Sequence, residues 1–242
     1  MLEIRQIVKT FGGVRALKNV SFELEKGEFV GLIGPNGSGK TTLFNVISGT
    51  YKPTSGTVIF EGEKVNHLTP DRICHAGIAR TFQIPRPIKS ISILDNVMIG
   101  LIFGNAERPK RHVFEVMQEE ATRLIEFVGL KVDGDAKPEK LTAVDLRKLE
   151  LARALATKPK LLLADEILSG LNHEELQEAS IVLNKIRKEM GITIVWVEHI
   201  LSVLMSLVDR VLVFDYGKLI ADATPEEASK DVRVLEAYLG EA

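Results

Sequence analysis

A chain of 242 residues is long enough to bury one sizeable core, or one core with a smaller attached lobe. Its formal net charge of −2 gives no electrostatic case for a nucleic-acid partner, which would be met by a basic face. The single cysteine, Cys74, excludes an internal disulfide and suits a reducing compartment. No apolar leader follows Met1-Leu2-Glu3-Ile4-Arg5, and the longest apolar stretch, Val97 to Phe103, is too short to span a bilayer. The expectation is a soluble, cytoplasmic protein that meets a membrane only through a partner. The one dense cationic cluster, Arg108-Pro109-Lys110-Arg111, reads as a solvated loop.

In chain order, Leu2 to Val8 and Val20 to Leu24 alternate like half-exposed strands, and Gly56 to Phe60 is a further strand ending at Glu61-Gly62. Between them the apolar run Phe29 to Ile33 reads as a buried strand that leads into Gly34-Pro35-Asn36-Gly37-Ser38-Gly39-Lys40-Thr41-Thr42. This segment fits G-x-x-x-x-G-K-[ST], a phosphate cradle: glycines let successive N–H groups turn toward one anion, and the helix starting near Lys40 adds its positive end. Lys40 would reach the terminal phosphates and the Thr41 hydroxyl would hold Mg²⁺. Thr69-Pro70 starts a short helix toward Gly77, and Ile78 to Phe82 is a strand. From Ile84 to about Lys158 the pattern turns helical, with Ser92 capping Ile93 to Ile102, a charged helix from His112 to Val128, and a third starting near Thr142. Strands return at Leu161 to Ala164, Ile192 to Val197 and Val211 to Phe214, separated by helices Glu174 to Met190 and Ile200 to Val208. Near-continuous apolar strands alternating with helices indicate an α/β fold with a parallel sheet covered on both faces.

The strand Leu161 to Ala164 ends in Asp165-Glu166, where an α/β sheet places functional groups. Asp165 would orient Mg²⁺ through its water shell, and Glu166 would accept a proton from water attacking a γ-phosphate. His199 follows the next strand end at Glu198 and is a second candidate for that phosphate. Gln83, which ends Ile78 to Phe82, is an uncharged candidate ligand for Mg²⁺. For Phe11, before Gly12-Gly13, two readings fit: an exposed aromatic stacking on a base, or a core residue of the β layer.

Taken in order, Phe11, the Gly34 to Thr42 loop, Gln83, a signature-like segment, Asp165-Glu166, Ser169-Gly170-Leu171-Asn172 and His199 resemble the ATP-binding subunit of ABC transporters over nearly the whole chain. That resemblance implies a P-loop NTPase with a RecA-like parallel core sheet, an N-terminal antiparallel β layer and an inserted helical lobe. It divides a single domain, 1–242, into a core (1–83 and 159–242) and a lobe (84–158). It implies ATP and Mg²⁺ as cofactors, a head-to-tail dimer with a second ATP-binding subunit, two transmembrane permease subunits, an external solute-binding protein and a location on the inner face of the membrane. Within the family, Gly77 to Gln83, Asn172 in place of the usual Asp, and the ending Val234 to Gly240 resemble subunits that power branched-chain amino acid importers. Importers of urea and short amides and the ATPase of lipopolysaccharide export share that ending. A cytosolic ABC ATPase would ordinarily carry two cassettes or long coiled-coil insertions, and a small-molecule kinase has no use for the ordered set.

The sequence departs from the family in one place. Where the family has Leu-Ser-Gly-Gly-Gln, which binds the γ-phosphate held by the opposite subunit, this chain has Leu141-Thr142-Ala143-Val144-Asp145. Thr142 keeps a hydroxyl, but the Ala143 and Val144 side chains crowd the backbone and Asp145 brings a negative charge toward a triphosphate. Coupling to permeases is expected through Ile84 to Lys89 and the helix ending Val97 to Phe103, for which core packing is the competing reading.

Overall fold

The computed structural model describes residues 1–104, 114–167, 172–198 and 200–239. The chain forms two compact units, Met1–Ile73 with Thr193–Ala242, and Cys74–Ile192. The cationic cluster at 108–111, the Ser169-Gly170-Leu171 segment and His199 lie outside the described residues.

In the first unit, β1 (Leu2–Phe11), β2 (Val14–Leu24), β4 (Ser55–Phe60) and β5 (Glu63–Lys64) form an antiparallel sheet in the order β2-β1-β4-β5. The alternation that reads as a strand slips by one residue in β1: Leu2, Ile4 and Ile7 are all buried, and the register shifts between Ile4 and Ile7. Gln6, at φ 49, absorbs the extra residue, so a bulge keeps the three side chains on one face. The strands run past Val8 and begin before Val20, meeting at Phe11↔Val14 across the two-residue turn Gly12-Gly13.

Beside this layer β3 (Phe29–Ile33) lies between β8 (Thr193–Val197) and β9 (Arg210–Asp215), parallel to both, with β10 (Lys218–Ala223) antiparallel on the far side of β9. All five residues of β3 and of β8 are buried. Fully burying side chains of this size stabilises by about 1.5–3 kcal/mol each before entropy is counted. Trp196 and Phe29 pack with ring centroids 5.7 Å apart. The first-unit helices are α1 (Lys40–Ile47), α2 (Pro70–Ala76, which ends across the unit boundary), α7 (Leu201–Leu207), α8 (Pro225–Ala228) and α9 (Val232–Leu239). Strand β10 and helices α8 and α9 were not anticipated from the pattern.

The second unit holds the parallel pair β6 (Ile78–Arg80) and β7 (Leu161–Asp165), and the helices α3 (Ile93–Phe103), α4 (Phe114–Phe127), α5 (Ala143–Ala156) and α6 (His173–Met190). Ser92 caps α3 as its sequence position predicts, its Oγ accepting from Asp95 N. Within the segment expected to be largely helical from Ile84, helix begins only at α3: residues 83–92 are an arch without helix, because Pro85 and Pro87 supply no N–H and push their predecessors into extended backbone. Asn96, fully buried on α3, ties the arch down by accepting from Ile88 N at 2.8 Å and donating to Ile88 O at 3.0 Å and Ser92 O at 2.8 Å.

Candidate nucleotide-binding site

The phosphate loop is built by β3 and α1 within the first unit. Gly34 stands at φ 143, and a Cβ there would lie 2.0 Å from Phe214 O, so no side chain fits. Gly39 at φ 110 is the residue from which α1 starts, and it brings neither a side-chain cap nor an acidic residue in the first turn. The first turn of α1 therefore carries no carboxylate of its own against its positive end. The loop is stitched to the β9–β10 turn by Gly217 N donating to Ser38 O at 2.9 Å. Lys40 is 7% exposed, and its ammonium donates to Gly34 O at 2.6 Å and Pro35 O at 2.8 Å. A cation held by the loop's own carbonyls sits where an anion on the loop would meet it. Thr41 is exposed in the first turn and Thr42 is half-buried behind it.

Phe11 is 41% exposed at the end of β1, which removes the core reading. Its ring meets Tyr51 edge-on, with centroids 5.1 Å apart, and Lys9 Nζ stands 4.9 Å from the Phe11 centroid. Tyr51 was not singled out from the sequence; an aromatic in the polar turn after α1 was the available signal.

In the second unit β7 is buried throughout and delivers Asp165 at its end. Arg80, on the neighbouring strand, donates from Nη2 to Asp165 Oδ2 at 2.8 Å, with both side chains almost fully buried. Thr81 Oγ1 accepts from Asp165 N at 3.0 Å. A buried carboxylate without such a partner would be strongly disfavoured, so Arg80 is what allows Asp165 to stand there. Arg80 escaped the sequence reading, although a charge inside an apolar strand marks it. Glu166 follows at φ 49, a left-handed turn that few non-glycine residues adopt. It accepts from Gln83 Nε2 at 2.6 Å. Two of the residues picked out from opposite parts of the unit are thus in direct contact. Thr41 in the first unit and, separately, Gln83 and Asp165 in the second each carry a hard oxygen of the kind Mg²⁺ takes, with Asp165 engaged by Arg80.

The signature-like segment starts α5. Thr142 is its N-cap, accepting from Asp145 N at 3.2 Å, while the Thr142 hydroxyl donates to Asp145 Oδ2 at 2.7 Å and Thr142 N donates to the same oxygen at 3.4 Å. This is a closed capping box. Asp145 therefore turns back onto its own helix start, and Ala143 is exposed beside it. Asn172 caps α6 in the same manner with Glu175. In the helix expected to couple to permeases, Val97, Met98 and Leu101 are buried in the core, Ile99, Gly100 and Ile102 are half-buried, and Phe103 is 57% exposed. Phe82 and Ile84 on the arch are exposed as well.

No helix among the described residues is long and apolar enough to cross a membrane. Residues 17–169 match the ABC transporter family, and residues 218–242 match the branched-chain amino acid ATP-binding cassette transporter family. The second segment covers β10 and α9, whose Ile220 and Arg233 share a cavity of about 360 Å³ with Pro35, Asn36 and Ser38 of the phosphate loop. The high-affinity branched-chain amino acid transport ATP-binding protein LivG of Salmonella typhimurium is 36% identical, covering 100% of this chain and 98% of that protein. The protein of like name, BraF, from Pseudomonas aeruginosa is 34% identical over the same shares. Among solved structures, the ADP conformation of MJ1267, an ATP-binding cassette of an ABC transporter, superposes with a TM-score of 0.86 at 34% identity, covering 99% of this chain and 98% of that one. The dimeric post-hydrolysis state of the cassette MJ0796 with ADP and Pi gives a TM-score of 0.84 at 29% identity, covering 93% and 99%. The phosphate loop, the Gln83–Glu166 contact and these full-length similarities lead to one assignment: the chain belongs to the ABC transporter family, as one of its ATP-binding cassettes.

Proposed function

We propose that this protein hydrolyses ATP to power an importer of branched-chain or related amino acids, as a peripheral subunit on the inner face of the membrane. The observation that carries the reading is full-length similarity, at about a third identity, to proteins named for branched-chain amino acid transport, together with a phosphate loop whose helix start is free of its own acids. The partners are a second cassette, head to tail, two membrane permeases and, through them, an external solute-binding protein.

Lys40 and the loop Gly34 to Thr42 bind the phosphates, and Phe11 with Tyr51 gives an exposed aromatic pair for the base. Thr41, Gln83 and Asp165 are the residues that would hold Mg²⁺, which when bound offsets charge on the phosphates. Glu166 accepts the proton of the attacking water; its contact with Gln83 fixes the carboxylate's direction. His199 is assigned to the γ-phosphate side of the reaction on its place in the chain alone. Thr142, Ala143 and Val144 meet the nucleotide held by the partner.

The test pairs turnover with uptake. Glu166→Gln is expected to bind ATP while phosphate release falls about 10²- to 10⁴-fold; a near-normal rate removes Glu166 from the role. Vesicles carrying the chain with its permeases, and with the solute-binding protein outside, are expected to take up labelled leucine with internal MgATP. Uptake of urea or a short amide in place of leucine would move the substrate assignment and leave the ATPase in place.

A further inference from the structure

The second unit contains a buried carboxylate that the proposed chemistry does not use. Glu150, on α5, is 7% exposed among Leu149, Leu151 and Ala152. Its Oε1 accepts from Phe82 N at 2.6 Å; its Oε2 is buried and makes no bond of full hydrogen-bonding geometry among the described residues, and the Arg86 N–H also acts on the carboxylate. One turn further along the same face of α5, Arg153 donates from Nη1 to Arg86 O at 2.9 Å. The two side chains therefore hold the arch at both ends of the stretch 82–86, and Gln83 lies inside it, donating to Glu166.

A packing role does not account for this arrangement. An apolar side chain at position 150 would fill the space without desolvating a carboxylate, but it would leave the Phe82 N–H without its acceptor and Arg153 without the charge beside it. Burial pushes the Glu150 carboxyl up to about 7, with the Phe82 N–H, Arg153 and Arg86 opposing the shift. What the glutamate adds is a short bond to the backbone N–H immediately before Gln83. Neither contact is local in sequence, since Glu150 and Phe82 are 68 positions apart and Arg153 and Arg86 are 67. The helix that starts at the signature-like segment is thereby joined by two side chains to the loop that orients Glu166.

We propose that Glu150 and Arg153 are positioning residues, clamping 82–86 so that the Gln83 amide is held on the Glu166 carboxylate. The proposal depends on Glu166 being the general base. A disturbance at the Thr142 end of α5 would then be passed through rigid helix to Gln83 without any contact between Thr142 and the arch.

Glu150→Leu and Glu150→Gln separate the tether from packing, measured on the full chain by hydrogen exchange at the Phe82 amide and by MgATP turnover. Leucine removes the acceptor and is expected to lower the melting temperature, while glutamine keeps the acceptor and sets the comparison at similar volume. Leucine should speed Phe82 exchange about tenfold or more and lower kcat about tenfold, with KM for ATP little changed. Glutamine keeps an acceptor oxygen and is expected to restore both slow exchange and turnover. Arg153→Met, which keeps the stem and loses the donor, should lower kcat in the same direction. Unchanged Phe82 exchange in Glu150→Leu overturns the clamp. Faster exchange with unchanged kcat, or a glutamine variant that behaves like leucine, overturns the positioning role. Failure of the underlying reading shows separately, as normal turnover in Glu166→Gln whatever happens at Phe82.

Discussion

Helices α1 and α5 begin at the two segments proposed to meet nucleotide, the chain's own and a partner's, and they begin in opposite ways. At α1 the first residues are Gly39, Lys40 and Thr41, with no side-chain cap and no acid in the first turn. At α5 the start is closed by Thr142 and Asp145, each bonding to the other's backbone. Every helix leads with four N–H groups that lack partners inside the helix. The α1 start lacks an anion of its own; the α5 start has spent part of its capacity on a carboxylate that it carries itself. In that respect α5 resembles α6 and α8, which are closed by Asn172 with Glu175 and by Thr224 with Glu227. The helix start proposed for the chain's own nucleotide is open to an external anion, and the one proposed for a partner's nucleotide is built like an ordinary structural helix start.

The largest effect in this comparison belongs to Lys40. Lys40→Ala should weaken ATP binding by about 10- to 100-fold, the worth of charge-assisted hydrogen bonds to phosphate, as read by titration with MgATP; an unchanged affinity would remove the ammonium from the site. Next comes the closed cap. Asp145→Gln combined with Ala143→Gly and Val144→Gly, in a Glu166→Gln background that holds ATP, should strengthen ATP-driven dimerisation about two- to fivefold, since one charge at a helix end contributes about 0.3–1 kcal/mol. Sedimentation in ATP and Mg²⁺ showing no gain would mean that the closed cap does not oppose the partner's phosphate.

The smallest effect separates the buried glutamate of α5 from its cap. The Glu150 carboxyl is raised from 4.5 to about 7, chiefly by burial. A carboxyl with a raised folded-state value favours folding most while protonated, so its contribution is fully present below the unfolded value and is lost as pH rises from about 4.5 through 7. Against Glu150→Gln, which does not ionise, the protein should lose a few degrees of melting temperature across that window. Parallel melting curves for the two proteins would mean that the carboxyl titrates at its ordinary value.

How much of this was legible in the sequence follows from how local each feature is. The phosphate loop was readable residue by residue, because the glycines at 34 and 39 answer to backbone geometry within a few residues of themselves. The caps at Ser92 and Thr142 were readable for the same reason. The start of α3 after Ser92 was legible, but the arch at 83–92 before it was not, because its shape rests on Asn96 bonding back to Ile88 and Ser92 rather than on a local pattern. Strand β10 was missed because Lys218 and Asp222 break up a run of only six residues, and it is its pairing with β9 that makes it a strand. The hardest features were the pairs. Arg80 with Asp165 and Glu150 with Phe82 join positions 85 and 68 residues apart, and no spacing rule connects them. Gln83 and Glu166 were each named for their chemistry, but their contact, across 83 positions, is a product of the fold.

The contrast between the two helix starts is tested most directly by one titration. MgATP is added to the Glu166→Gln chain at a concentration low enough to keep it monomeric, alone and with Lys40→Ala or Asp145→Gln. The account predicts one ATP bound per chain, weakened by Lys40→Ala and left unchanged by Asp145→Gln, because α5 serves only a partner's nucleotide. Binding that survives Lys40→Ala intact, or that changes with Asp145→Gln as much as with Lys40→Ala, would contradict it.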